Sequence, residues 1–402
     1  MRFRFRYLLL GLCLAASASY ASFIETTMGT AVVNDATAAY FNPAALVLLK
    51  NPQVIPLLTA ARFRTSFSGQ STPLPAGATQ SGTASSDTDY YSPNFYAGMP
   101  INDRIMAGFS IVSNYATRDP EEGSILRYVQ SSNNIQDYDV VPSVAVKIND
   151  YLALGAGVNF SYLDFHLSPI VAFPGTNATD GQASNQSSGS GIGANAGFLL
   201  LPMKGTLIGF NYRSVTTYRE SGTSNYTGAT SLTSNNYHFQ LRTPAHSTLS
   251  LSQRLTPAFN LISTIQYIQW DLQRYININN AATLVGAKPA IVSASIPYYL
   301  HNTWMFTLGG NYRFEPSWIV RAAATYYQSP NNGFYQVGTG DSYILGTSVG
   351  YDINKMFTID GSYAHAFIQN QHINISGPRF LIVGNNDGSR DSITLKLTVN
   401  VV

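Results

Sequence analysis

The stretch Leu152-Ala153-Leu154-Gly155-Ala156-Gly157-Val158-Asn159-Phe160-Ser161-Tyr162 decides the fold class. Leu152, Leu154, Ala156, Val158, Phe160 and Tyr162 fall on every second residue, and Ala153, Gly155, Gly157, Asn159 and Ser161 fill the places between. Successive β-strand side chains point to opposite faces, so this is a strand with one lipid-compatible face and one small or polar face. The same period returns in Trp304, Phe306, Leu308, Tyr312 and Phe314, set against Thr307, Gly309, Asn311 and Arg313. It returns again near the C-terminus, where Ile393, Leu395, Leu397, Val399 and Val401 alternate with Thr394, Lys396, Thr398 and Asn400. A soluble β-sandwich alternates in the same way, so other features must decide the solvent.

Composition is the first of them. Of 402 residues 45% are hydrophobic and 12% aromatic, but only 11% are charged, against roughly 25% in a soluble domain. A net charge of +2 supplies no basic field for nucleic acid. A membrane helix needs about 20 consecutive apolar residues; the best attempt beyond the N-terminus, Ala44 to Leu58, is broken by Lys50, Asn51, Pro52, Gln53 and Pro56. The apolar faces end in aromatics (Tyr162, Tyr312, Phe314, Trp318, Tyr326, Tyr327, Tyr351), as in the girdles of membrane barrels. Short turns at Ile101-Asn102-Asp103, Asn149-Asp150, Glu315-Pro316-Ser317 and Asp352-Ile353-Asn354-Lys355 alternate with polar stretches expected to be long outer loops, at Ser66 to Ser92, Pro174 to Gly191 and Asn277 to Ile296. A sheet in lipid must close so that every backbone group is paired. The expectation is an all-β chain, a transmembrane antiparallel β-barrel of roughly 12 to 16 strands.

At the N-terminus Arg2, Arg4 and Arg6 precede the apolar run Tyr7 to Ala16, and small residues follow. This pattern predicts a signal peptide over residues 1–21, cleaved after Ala18 or Ala21. The single cysteine, Cys13, falls inside it, so the exported chain has no thiol, in keeping with the envelope of a Gram-negative bacterium. Residues 22–50 are Ala-rich and poor in β-branched runs. They read as helical turns, a hatch that plugs a lumen too wide to fill with wall side chains. Residues 51–402 are then the barrel.

Asn42-Pro43-Ala44, preceded by Asn34-Asp35-Ala36, is similar to the plug signature of the long-chain fatty acid transporter (FadL) family of outer-membrane proteins, which includes aromatic-hydrocarbon channels. Pro93-Asn94-Phe95 through Met99-Pro100-Ile101-Asn102-Asp103, then Ser113-Asn114-Tyr115, Asn195-Ala196-Gly197 with Gly209 and Tyr212-Arg213-Ser214, and Leu308-Gly309 with Trp318, Arg321 and Ser329-Pro330 resemble further stretches in the same order. The resemblance implies a 14-stranded barrel with an N-terminal hatch. It also implies passive uptake of hydrophobic molecules and lateral release into outer-membrane lipid through a gap beside a kinked third strand. It assigns the hatch motif to Asn42, Pro43 and Ala44, the gap to Asn114, Tyr115 and Ala116, and a ligand contact to Phe23. Alanine stands at 116 where the fatty-acid members carry glycine.

A bound carboxylate needs a cation or donors. The Arg and Lys of the fatty-acid members have no counterpart here, so His166, His301 and Arg321 are the candidates. The expected cargo is a long-chain fatty acid, with uncharged aromatic hydrocarbons second and a general porin or adhesive barrel as the competing classes. A monomer without cofactor is expected. The six histidines (His166, His238, His246, His301, His365, His372) lack metal-ligand spacing, and no serine motif marks a hydrolase, so the chain is read as no enzyme.

Overall fold

The computed structural model describes residues 23–73, 78–120, 124–127, 131–171, 181–285, 288–297, 299–331, 340–376 and 380–401. The expected leader, with both cleavage places and Cys13, lies outside the described residues. Along the first part of the chain run β1 (Gln53–Pro73), β2 (Gln80–Pro100), β3 (Ile105–Pro120), β4 (Ser131–Lys147), β5 (Leu152–Val171) and β6 (Gly181–Met203). Next come β7 (Thr206–Arg213), β8 (Thr216–Thr227), β9 (Leu232–Thr243), β10 (Ala245–Arg254), β11 (Phe259–Gln269), β12 (Tyr275–Val285), β13 (Lys288–Pro297) and β14 (Thr303–Glu315). The last are β15 (Trp318–Tyr327), β16 (Ser342–Asp352), β17 (Phe357–Ser376) and β18 (Phe380–Asn400).

All pair antiparallel, and β18 returns to β1 from Gln53↔Asn400 to Pro73↔Phe380, which closes the barrel. Four walls are each built from two successive strands, β7 with β8, β9 with β10, β11 with β12 and β13 with β14. The lower half of β6 pairs β7 and its upper half pairs β8, while β10 pairs both β7 and β11. The barrel therefore has 14 walls.

Three tight turns at one rim share a mechanism. The side-chain oxygens of Asn102, Asn149 and Asn354 each accept two backbone N–H bonds, from Arg104 and Ile105, Tyr151 and Leu152, and Met356 and Phe357. Asparagine closes such turns locally, and short turns mark the periplasmic rim.

The opposite rim departs from expectation. Much of Ser66 to Ser92 and Asn277 to Ile296 is strand rather than loop, in β1, β2, β12 and β13. Those ladders run on past the membrane, where water rather than lipid meets the outer face and the apolar alternation lapses while backbone pairing continues.

The alternation sorts as read. Leu154, Val158, Phe160, Tyr162, Trp304, Phe306, Leu308, Tyr312, Phe314, Ile393 and Leu395 are exposed on the outer face, where lipid covers them. Inside, the N-terminal segment fills the lower lumen as α1 (Phe23–Met28), a 3-10 turn Thr30–Val32, α2 (Ala38–Phe41) and a 3-10 turn Pro43–Leu48. The upper lumen is closed by an apolar cluster that includes Phe165, Tyr237, Phe239, Trp270 and Leu300.

Candidate functional site

The site starts from how the N-terminal segment is seated. Asn42 is fully buried. Its Nδ2 donates to the Ala31 carbonyl (2.7 Å) and to the Phe198 carbonyl on β6 (3.2 Å), and its Oδ1 accepts from Ala44 N–H (3.3 Å). One side chain thus caps the turn begun by Pro43, ties it to the preceding turn, and ties both to the wall. The wall yields room for this: a Cβ at Gly155 would lie 2.2 Å from the Ala44 nitrogen, and one at Gly209 1.9 Å from the Ala31 oxygen. Backbone meets backbone there, which only glycine permits.

Charge fixes the other side. Lys396 on β18 donates to Asp35 Oδ2 (2.5 Å) and Glu25 Oε1 (3.4 Å), and Lys396 and Glu25 are both almost wholly buried. Burial alone would raise the Asp35 pKa, but Lys396 beside it and the Thr37 donors outweigh that and hold the carboxyl below its ordinary value. Arg213 donates to the Tyr40 carbonyl (2.7 Å) and stacks its guanidinium 4.0 Å from the centre of the Tyr40 ring.

A break in the wall lies above the seat. The β2–β3 ladder pairs Tyr91 with Tyr115 and resumes only at Phe95 with Ile111. Between them stand Ser92, Pro93 and Asn94 against Val112, Ser113 and Asn114, a window roughly 10 Å long at about 3.3 Å per residue. Pro93 has no N–H to give to a ladder. Side chains stitch the window instead. Asn94 Oδ1 accepts from Ser113 N–H (3.0 Å), Ser113 Oγ donates to the Pro93 carbonyl (2.5 Å), and Ser92 Oγ donates to Asn114 Oδ1 (3.1 Å). Asn114 Nδ2 donates in turn to Asp137 (3.2 Å).

Behind the window is a cavity. Ser92, Asn114, Tyr90 and Tyr91 line it from the window side, Ile344, Ala364 and Ala366 from the nearby β16 and β17, and Arg390 from β18. Phe23, 7% exposed, packs with Ala323, Ile344, Ala364 and Ala366, and its ring occupies the place a side chain at residue 346 would take, 2.4 Å from a Cβ built on Gly346. The enclosed space left beside it is about 50 Å³, well short of the roughly 150 Å³ apolar cavity that takes benzene.

The structure thus brings Phe23 and Asn114 together and seats Asn42, Pro43 and Ala44 below them. It separates the rest. Tyr115 and Ala116 lie within the paired ladder beside the window, and β3 keeps its pairing with β4 from Ile105 to Arg118. Among the described residues only Gly29, Gly205 and Asn280 have positive φ, so Ala116 needs no glycine-like backbone. The interruption falls at the proline of the second strand, while the third strand stays paired with β4 throughout it.

His166 shares the outward face with Tyr162 and bonds Ser184 (3.1 Å), so it is outside the lumen. His301 stands before β14, its N–H on the Pro330 carbonyl (2.9 Å). Arg321 is buried against Asp360 (2.7 Å), below the cavity. None of the three lines the cavity; Arg390 does, and the sequence reading passed it over. Parity could have found it, since it lies six residues before Lys396 on the same inward face of β18.

Residues 17–401 match the family model described as outer membrane protein transport protein (OMPP1/FadL/TodX). The chain belongs to this family. A FadL homologue from Pseudomonas aeruginosa is similar in structure, with a TM-score of 0.80 at 18% identity over 92% of this chain and 96% of that one. The toluene transporter TodX from Pseudomonas putida gives 0.71 at 15% over 94% and 97%. The toluene transporter TbuX from Ralstonia pickettii gives 0.66 at 16% over 91% and 94%. No curated protein sequence matches. Like its family, the chain is an outer-membrane channel for hydrophobic compounds.

In this member of the FadL/TodX family the space under the N-terminal segment is polar. A cavity of about 520 Å³ opens there, lined among others by Arg254, Arg313, Arg321, Asp352, Asp360 and Lys396. A greasy molecule gains nothing by entering it.

Proposed function

We propose that the channel carries long-chain fatty acids from outside the cell into the outer membrane, with the carboxylate on Arg390 and the acyl chain displacing the Phe23 ring. The observation that carries this reading is the single cavity shared by Phe23, Arg390 and the unpaired β2–β3 window. A carboxylate entering an apolar lumen needs a cation, and a guanidinium meets it with two parallel bonds. The alkyl chain lies against Ile344, Ala364 and Ala366, each buried CH₂ contributing about 0.8 kcal/mol. With a charged vestibule below, the favourable way out is sideways, through a window held by a few side-chain bonds of roughly 1 kcal/mol each. The residue-22 to residue-50 segment is the hatch, residues 1–21 direct export, and one chain suffices.

Uncharged aromatic hydrocarbons are the second reading. The small apolar pocket flanked by Tyr90, and the two solved relatives that are toluene transporters, speak for it. Uptake of labelled oleate and labelled toluene, in cells lacking their own such channel, separates the two. Arg390→Gln is expected to lower oleate uptake about tenfold and leave any toluene uptake as it was. Oleate uptake unchanged by that substitution removes the carboxylate role, and uptake of toluene alone makes the hydrocarbon the cargo.

A further inference from the structure

On the outer face of the barrel, away from the window, the wall parts a second time. Above the last β10–β11 pair, Ala245↔Gln269, the chain leaves β11 through a 3-10 turn, Trp270–Leu272. β9 and β12 share a single paired position, His238↔Asn279. Gln273 spans the interval with its side chain, accepting from Arg242 N–H (2.7 Å) and donating to the Gln240 carbonyl (2.9 Å). The result is a groove of about 710 Å³.

Three arginines from three strands or their approaches line it: Arg219 on β8, Arg242 on β9 and Arg274 just before β12. All are exposed. Arg242 reaches the Leu272 carbonyl (3.3 Å), and among the described residues no carboxylate pairs with any of the three. The contrast with Arg62 and Arg64 is direct, since these outer-face arginines are paired with Asp89 and Asp391. Glu220 is the one acid of the lining, and it is buried on the lumen side. Along the neighbouring walls the aromatics Tyr212, Tyr267 and Trp304 mark the upper edge of the apolar band, and the arginines lie beyond them, toward the rim opposite the short turns. Tyr275 offers an exposed ring beside Arg274, and Asn277 and Asn279 offer amides.

We propose that this groove binds the phosphorylated sugar headgroup of an outer-leaflet glycolipid. Guanidinium forks match phosphate oxygens bidentately, a ring face packs on a pyranose, and amides serve hydroxyls. In a chain with 23 Lys and Arg among 402 residues, three guanidiniums on one groove at headgroup level, none with a carboxylate partner among the described residues, concentrate positive charge where the membrane carries negative.

The test uses the full channel, purified in detergent, with bisphosphorylated lipid A and its dephosphorylated form as probes and bound lipid counted by native mass spectrometry. The channel is expected to retain one phosphorylated lipid, at least tenfold more tightly than the dephosphorylated form, with retention weakened by salt. The triple variant Arg219→Gln, Arg242→Gln, Arg274→Gln is expected to lose it, while Arg62→Gln with Arg64→Gln is not. Arg274→Gln alone, which removes only an exposed side chain, should weaken retention several-fold if the triple variant does not fold. Equal retention of both lipids, or full retention by a folded triple variant, overturns the proposal. So does displacement by millimolar inorganic phosphate without preference for lipid, which would make the groove a free-anion site.

Discussion

Asn42 ties two turns of the N-terminal segment to each other and to the wall, because its amide serves two carbonyls and one N–H in a fully buried place. Asn42→Ala leaves those groups without partners, at about 1–3 kcal/mol for each buried group so orphaned. The expected outcome is a folded barrel, shown by its compact migration on an unheated gel, with lower uptake and a higher ion conductance in planar bilayers. Asp35 sets a pH dependence of defined sign. Its carboxyl is held below the unfolded value of about 3.9, so its contribution to the seat is complete above that value and is lost as pH falls through the lower, folded one. Conductance is expected to stay flat from pH 8 to pH 5 and to rise only in stronger acid. Asp35→Asn removes the pairing at every pH and strands part of the Lys396 charge, a loss on the order of 3–5 kcal/mol for a buried pair, so its conductance should be raised throughout that range.

At the scale of elements, β2 and β3 are long strands, of 21 and 16 residues, joined above and below a gap that side chains bridge. Their ladder bonds need not break for the window to open; only the Ser92, Asn94 and Ser113 contacts must. Ser92 and Asn114 face each other across it, their side chains 3.1 Å apart. With Cys13 expected to leave with the leader, cysteines placed at both positions would be the only thiols. The variant Ser92→Cys, Asn114→Cys is expected to block uptake when oxidised and to recover it on reduction. Uptake that ignores the redox state would move the exit elsewhere on the wall.

For the whole molecule, the lumen is closed twice, by the N-terminal segment below and by the aromatic cluster of the upper strands above. A general porin keeps an aqueous path, and these two clusters, among the described residues, stand across it. The intact channel is expected to show little conductance to ions. Removal of residues 23–48 should open the lower lumen and abolish directed uptake together, because the same segment fills the space and supplies Phe23 to the cavity. Low conductance after that removal would mean that the upper cluster alone seals the barrel.

Period-two alternation determined which strand residues share a face, and the low charge, the aromatic girdles and the turn lengths set beside it made the sheet a closed barrel in lipid. The turn asparagines were likewise legible, since their bonds are made within a few residues, and so was the local half of Asn42, its bond from Ala44 N–H, but not its bonds to Ala31 and to Phe198 on the wall. The outer strands were not. Ser66 to Ser92 reads as loop because, above the membrane, neither face has to be apolar, and only the partner strand reveals that the ladder continues. The cavity was hidden for a related reason. Phe23, Asn114, Ile344 and Arg390 come from four distant parts of the chain, and His166, read as a candidate partner for a carboxylate, falls on the wrong side of the wall. Alternation says which residues face inward, but closure of the barrel decides which of them meet.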